Sequence, residues 1–329
     1  MHGNTRNTPD DDEDTKETRI SKAIRMAIGH ELPKIYLPAT TLYLVKTLHL
    51  VSISYLTNEA VSSLVSDLKF LESLVIAKSR GLRSLRVVAS SKLVNLTVFD
   101  CPQLTSLHIK APTLHSFRYR GLLPWFSFDL ELSLADAMFD FRKGPGYRFM
   151  NHDFDLILRG IKSAKNLTLC RWTLEKLISP LLTQDQFEFL WYHQFHTLKE
   201  LWWFDYYLKD EEYSSDALIY LLKFCPSLEI LSVTIDRQSY KVSSTGTFPA
   251  EISSDTTLKH LKVVKLDGFR SQEDEISLAE KLRATSNGNN SLRSLKLSEL
   301  QEGSFTYKFV AEEVIHINEL CPKHPHIGL

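Results

Sequence analysis

Apolar side chains recur along this chain in one pattern, L-x-x-L-x-L, with Leu giving way at times to Val, Ile or an aromatic. In order, the matches are Val45-Leu48-Leu50, Leu71-Leu74-Ile76, Leu82-Leu85-Val87, Leu93-Leu96-Val98, Leu104-Leu107-Ile109 and Leu114-Phe117-Tyr119. After a gap come Ala164-Leu167-Leu169, Leu198-Leu201-Trp203, Leu228-Leu231-Val233, Leu261-Val264-Leu266 and Leu292-Leu295-Leu297. The last two apolar positions of each unit alternate with polar ones, as in a short strand that buries one face. The first apolar position falls in the turn leading in. No single unit can shield its apolar side from water, so neighbouring units must stack.

The spacing has two regimes. The central positions 74, 85, 96, 107 and 117 are 10 to 11 residues apart. That is too short for a strand, a helix and two turns, so the pattern predicts strands on both sides of the stack, with one full coil per two matches. From position 167 the step grows to between 30 and 34 residues, which leaves room for a helix on the outer side. Helices are predicted at Asn58 to Phe70, with Thr57 as N-cap, and at Asp216 to Leu222, Glu273 to Thr285 and Asn151 to Lys162. Phe128, Leu130, Leu132 and Leu134 alternate with other residues and predict an extra strand. Residues 1–18, with Asp10, Asp11, Asp12, Glu13 and Asp14 in a row, read as a disordered acidic tail ahead of one repeat domain over 19–329.

Two of the units open with C-P-x-L: Cys101-Pro102-Gln103-Leu104 and Cys225-Pro226-Ser227-Leu228. These motifs resemble the repeats of plant F-box leucine-rich-repeat proteins, the F-box/FBD type included. So do Leu71-Glu72-Ser73-Leu74, Leu114-His115-Ser116-Phe117-Arg118-Tyr119-Arg120-Gly121 and Leu198-Lys199-Glu200-Leu201-Trp202-Trp203, and the resemblance covers roughly residues 32 to 320. It implies an α/β leucine-rich-repeat solenoid, a curved parallel sheet with helices or strands on the convex side. In that family an N-terminal F-box docks on a Skp-type adaptor of a cullin–RING ubiquitin ligase, and the repeats hold the substrate. Residues 1–31 offer only the polar tail and the short segment Ile20 to Ile28, and no F-box is read there. The adaptor contact is therefore not carried over.

Candidate chemistry adds little. The cysteines before proline lack a C-x-x-C partner and read as small buried hydrophobes closing a helix. His193 and His196, and His324 and His326, lack the further ligands of a known metal motif. Gly144-Pro145-Gly146 lacks the G-K-[ST] ending of a phosphate loop. No catalytic set, metal site or cofactor is expected.

The aromatic-rich segment Trp191 to Tyr207 is the most unusual in the chain. Strand alternation places Leu201 and Trp203 in the core and points Trp202 and Phe204 outward, unless a flanking loop covers them. The other outward positions are Ser73, Val75, Asn95, Thr97, Ser116, Arg118, Arg120, Glu200, Ser232, Lys265 and Lys296. Among them Trp202, Phe204, Arg118, Arg120 and Lys265 are the candidate partner-binding residues. The expected partner is a protein or a ubiquitination substrate.

Charge and hydropathy fit that reading. The chain has 329 residues, 43% of them hydrophobic, and a net charge of −1. The basic excess of a protein that wraps a nucleic-acid backbone is missing, so no nucleic acid is expected. No apolar run approaches the ~20 residues that cross a bilayer, and the N-terminus has no apolar signal core, so cytoplasm or nucleus is the expected location. Two other readings stay open: a ligase subunit with a diverged or missing F-box, and a small-molecule-sensing receptor.

Overall fold

The computed structural model describes residues 45–89, 92–128, 132–141, 144, 155–174, 194–205, 216–235, 258–268, 276, 278–279, 281–282 and 296–297. In chain order the strands are β1 (Thr47–Val51), β2 (Ser73–Ala77), β3 (Ser84–Val88), β4 (Asn95–Phe99), β5 (Ser106–Lys110), β6 (Ser116–Arg120) and β7 (Trp125–Phe128). They continue with β8 (Asp136–Asp140), β9 (Asn166–Cys170), β10 (Glu200–Asp205), β11 (Ile230–Ile235), β12 (Val263–Asp267) and β13 (Lys296–Leu297). The helices are α1 (Asn58–Asp67), α2 (Asp155–Ile161) and α3 (Asp216–Leu222).

The two spacing regimes become two constructions. A ten-stranded parallel sheet runs β1-β2-β4-β6-β8-β9-β10-β11-β12-β13, and a three-stranded parallel sheet runs β3-β5-β7. Where triplets recur every 10 to 11 residues, successive strands alternate between the sheets, so each coil carries a strand on both sides. Farther along, α2 lies between β8 and β9, and α3 between β10 and β11. The predicted helix over Glu273 to Thr285 is seen at Ile276, Leu278, Ala279, Lys281 and Leu282, which are helical.

The core lies between the sheets. The central and last apolar positions of the units from Leu71 to Leu261 are buried. Each such side chain withdrawn from water contributes about 1.5–3 kcal/mol. The first apolar position closes a turn. The N–H groups of Leu71, Leu104, Leu114, Ala164, Leu198, Leu228 and Leu261 donate to the carbonyls of Leu68, Cys101, Ala111, Ile161, Phe195, Cys225 and Leu258 at 3.0–3.2 Å. All seven acceptor residues are buried. The working unit is therefore three residues longer than L-x-x-L-x-L, with one more apolar site ahead of it.

This corrects the reading of Cys101. It follows strand β4, so it closes a strand-to-strand turn and not a helix, whereas Cys225 follows α3 as expected. Neither residue is in a disulfide and both are buried, and burial pushes the Cys225 thiol well up from its ordinary value.

Two further rows of backbone bonds hold the coils in register. The carbonyl just ahead of each strand accepts two N–H groups from the next coil: Lys46 O from Glu72 and Ser73, and likewise for Glu72, Val94, His115, Ala135, Lys165, Lys199 and Glu229. Just past β1, β2, β4 and β12 the chain turns a left-handed corner, at Ser52, Lys78, Asp100 and Gly268, with φ of 59°, 50°, 51° and 78°. At Gly268 a Cβ would stand 2.4 Å from the Ile235 carbonyl oxygen, so that corner requires glycine.

Helix α1 covers β3. Thr57 caps it, its hydroxyl accepting the Ala60 N–H at 3.2 Å, and Ala60, Val61, Leu64 and Val65 face the core. It ends at Asp67, earlier than the pattern suggested, because Leu68 already opens the next turn.

Three expectations change. The extra strand is Trp125–Phe128, with Leu132 and Leu134 outside it. Strand β8 was not anticipated, because its unit, Leu134-Ala137-Phe139, carries alanine at the central site. Leu123-Phe126-Phe128 is a further degenerate unit, on β7. The interior here is aromatic: the rings of Phe117, Tyr119, Phe126, Phe139, Phe141 and Trp172 meet at 5.5–6.4 Å. The acidic tail, Cys321-Pro322, His193, His324 and His326 lie outside the described residues.

Candidate protein-binding face

Parallel register aligns the outward residues of the large sheet in rows across the strands. The first row holds Thr47, Ser73, Asn95, Ser116, Asp136, Asn166, Glu200, Ile230 and Val263. The middle row holds His49, Val75, Thr97, Arg118, Met138, Thr168, Trp202, Ser232, Lys265 and Lys296. The last row runs through Ala77, Phe99, Arg120, Phe204 and Thr234.

The rows differ in exposure. First-row residues are exposed or half-buried throughout. In the last row, every residue from Ala77 to Thr234 is buried. Strand alternation fails there. Phe204 and Arg120, expected on the surface, are corrected: they are 0% and 4% exposed, and both lie near the ends of their strands rather than mid-strand. The Arg120 guanidinium pairs with Asp100, the corner residue of the preceding coil, and lies 4.9 Å from the centroid of the Phe99 ring. Val75 and Ser232, also expected outside, are buried in the middle row.

Three candidates do reach the surface. Lys265 is exposed, and Trp202 and Arg118 are half-buried. Trp202 and Lys265 flank Ser232 in register. The Lys265 ammonium reaches back to 5.7 Å from the Trp202 ring, a cation–π contact that covers the small Ser232 between them. The indole Nε1 donates to Glu200 Oε1 at 2.8 Å, which fixes the plane of the ring. Arg118 is held in a fork: its Nε and Nη2 donate to Asp136 Oδ1 and Oδ2 at 2.8 and 2.7 Å. Asp136 lies on β8, and its role was invisible because that unit was not recognised. Lys296 falls on β13, but its side chain lies outside the described residues.

The rim ahead of the strands carries charge in register. Lys46 pairs with Glu72 at 2.9 Å, and Glu229 accepts from Lys199 at 2.8 Å and Lys262 at 2.6 Å. The Lys199 and Lys262 hydrogen bonds hold the Glu229 carboxyl down to about 2.

Among the described residues, no group of three or more His, Cys, Asp and Glu side chains could hold a metal, and no helix is long and apolar enough to cross a membrane. What the arrangement offers is a broad sheet face with an anchored aromatic ring and fixed charges, a surface for contact.

Stacked parallel coils built on L-x-x-L-x-L define the class as a leucine-rich-repeat solenoid. The sequence pattern of the family described as At1g61320/AtMIF1, LRR domain, matches residues 35–319, and the chain belongs to that family. It is also 25% identical, over 271 residues, to the Arabidopsis thaliana protein named "Putative FBD-associated F-box protein At1g61330". That match covers 78% of this chain and 57% of the relative.

Proposed function

We propose that the chain is a non-catalytic protein-interaction scaffold of the F-box/leucine-rich-repeat type, with a protein partner seated on the middle row around Trp202, Lys265 and Arg118. One observation carries the reading: Trp202 is held in place from two sides, by Glu200 and Lys265, on a hydrogen-bonded sheet. A preset aromatic anchor loses little freedom on binding, which is what interface hot spots require. Arg118, already locked by Asp136, adds a fixed charge three strands along the same row. Phe204 and Arg120 support the face from beneath.

Capture with the immobilised chain tests this, followed by mass spectrometry. Trp202→Ala with Lys265→Ala should lose proteins that the unaltered chain retains, while Tyr55→Ser, at an exposed site between β1 and α1, should keep them. An unchanged set across all three would defeat the reading.

The name of the Arabidopsis relative favours a second reading, a substrate-recognition subunit of a cullin–RING ubiquitin ligase. Direct binding of a purified Skp-type adaptor would support it, and absence of binding would leave the scaffold role alone.

A further inference from the structure

We infer that the outer face of the three-stranded sheet is a second docking surface, one that takes a short acidic, partly apolar peptide of a partner protein. It lies on the opposite side of the solenoid from the Trp202 face and does not depend on the function proposed above.

The charge distribution comes first. Between Lys78 and Phe128 the chain carries eight Lys and Arg residues against one carboxylate, Asp100, in a protein whose net charge is −1. Asp100 is committed to Arg120 on the large sheet. Two of the cations, Arg118 and Arg120, belong to that sheet as well. The outer sheet keeps Arg83, Arg86 and Lys110, all exposed. Among the described residues no carboxylate pairs with Arg83 or Arg86.

Register then places these groups together. Arg86 stands beside His108, and His108 beside Ser127, its Nδ1 3.2 Å from the Ser127 hydroxyl. Val88 stands beside Lys110. At the other end, Ser84 and Ser106 lead across to Trp125. Trp125 and Val88 are large apolar groups left 50% and 43% exposed. The face thus offers Arg86 in its middle row, Lys110 at one end, Arg83 just ahead of β3 and an apolar contact at each of two corners, with small serines between them. Three strands ~4.8 Å apart and five residues long give a platform about 10 Å by 17 Å. That suits an extended peptide of about five residues. A single-stranded nucleic acid would call for successive exposed stacking rings, and this face exposes Trp125 while His108 is half-buried against Ser127.

The β3 edge of the sheet is closed, so on that side the face itself is what a partner meets. At β3, Asn58 Oδ1 accepts the Arg86 N–H at 2.7 Å, and the Ser62 hydroxyl donates to the Arg86 carbonyl at 3.0 Å. Helix α1 thereby occupies the bonds that an added strand would use. Recognition falls to side chains, with long-range attraction for acidic groups at low salt.

Fluorescence anisotropy with the full chain tests the inference. The probe is a short labelled peptide alternating Glu and Val, and the controls are its Lys–Val counterpart and oligouridylate. The expected result is saturable binding of the Glu–Val peptide that weakens with added salt. It should fall at least about tenfold in Arg86→Glu with Lys110→Glu and stay unchanged in Trp202→Ala. A milder pair, Arg86→Gln with Lys110→Gln, should show the same direction while melting like the unaltered chain. No binding, equal binding by both altered pairs, loss in Trp202→Ala, or tighter binding of oligouridylate would each overturn the inference.

Discussion

Arg120 shows how much one residue's surroundings decide. On an isolated strand it would be solvent-facing. In the stack it is buried, and its guanidinium meets Asp100 from the coil before. Removing one partner of a buried pair leaves an uncompensated charge, so Asp100→Ala should lower stability by about 3 kcal/mol in urea unfolding. Replacing both, Asp100→Asn with Arg120→Met, should recover much of that loss, because no charge is left buried and asparagine tolerates the left-handed corner. Phe204 teaches the same lesson without charge. Trp202, Lys265 and Arg118 were legible as surface residues because their positions lie mid-strand, where alternation holds. Phe204, Arg120, Val75 and Ser232 were not. Arg120 meets the corner of the preceding coil, which no local pattern announces, Phe204 lies near the end of its strand, Ser232 lies under its neighbours' contact, and nothing in the structure explains the burial of Val75.

At the scale of elements, helix α1 and the charged rim are separable parts. Thr57 satisfies an otherwise open N–H in the first turn of α1. Thr57→Ala should therefore lower stability by about 1 kcal/mol, read as a shift of the urea midpoint with an unchanged slope. The rim responds to pH. The Glu229 carboxyl is held down to about 2, first by the hydrogen bond from Lys199 and then by that from Lys262. A depressed folded value means that the contribution to stability is present above the ordinary value of 4.5 and is lost as the pH falls toward 2. Glu229 is half-buried at the rim and its two lysine partners are exposed, so salt screens the effect. Carboxyl NMR should show Glu229 titrating near the bottom of the range, and Lys199→Ala should move it up.

The repeat was the most readable element because each triplet combines a period-two face with a fixed lead-in. The units at Ala137 and Phe126 escaped although Leu114-Phe117-Tyr119 was read: alanine is a weak apolar mark, and Phe126 follows the run Leu122-Leu123-Pro124-Trp125, where no polar position sets off an alternation. Yet register puts Ala137 beside Phe117 and Leu167, in the same core row as the leucines.

For the whole molecule, the aromatic interior beneath β6, β7 and β8 is the joint between the two constructions. Phe139 is 1% exposed and packs at 5.5–6.2 Å against Phe117, Phe126 and Phe141. Phe139→Ala should lower stability by about 3–5 kcal/mol. In a stack whose coils touch only their neighbours, a weak joint also divides cooperativity. The urea transition of that variant, followed by circular dichroism, should broaden or separate into two.

The switch from paired strands to strand-plus-helix coils also sets the path of the solenoid axis. From β2 to β8 both sides repeat at the ~4.8 Å interval of hydrogen-bonded strands, so neither side is longer and that segment has no cause to bend. Beyond it, helices that need 8–10 Å between axes lengthen the outer circumference, and the sheet must close inward to match. Strand and helix spacing thus predicts an arc through Trp202 and Lys265 and a straight bar through Arg86 and Lys110.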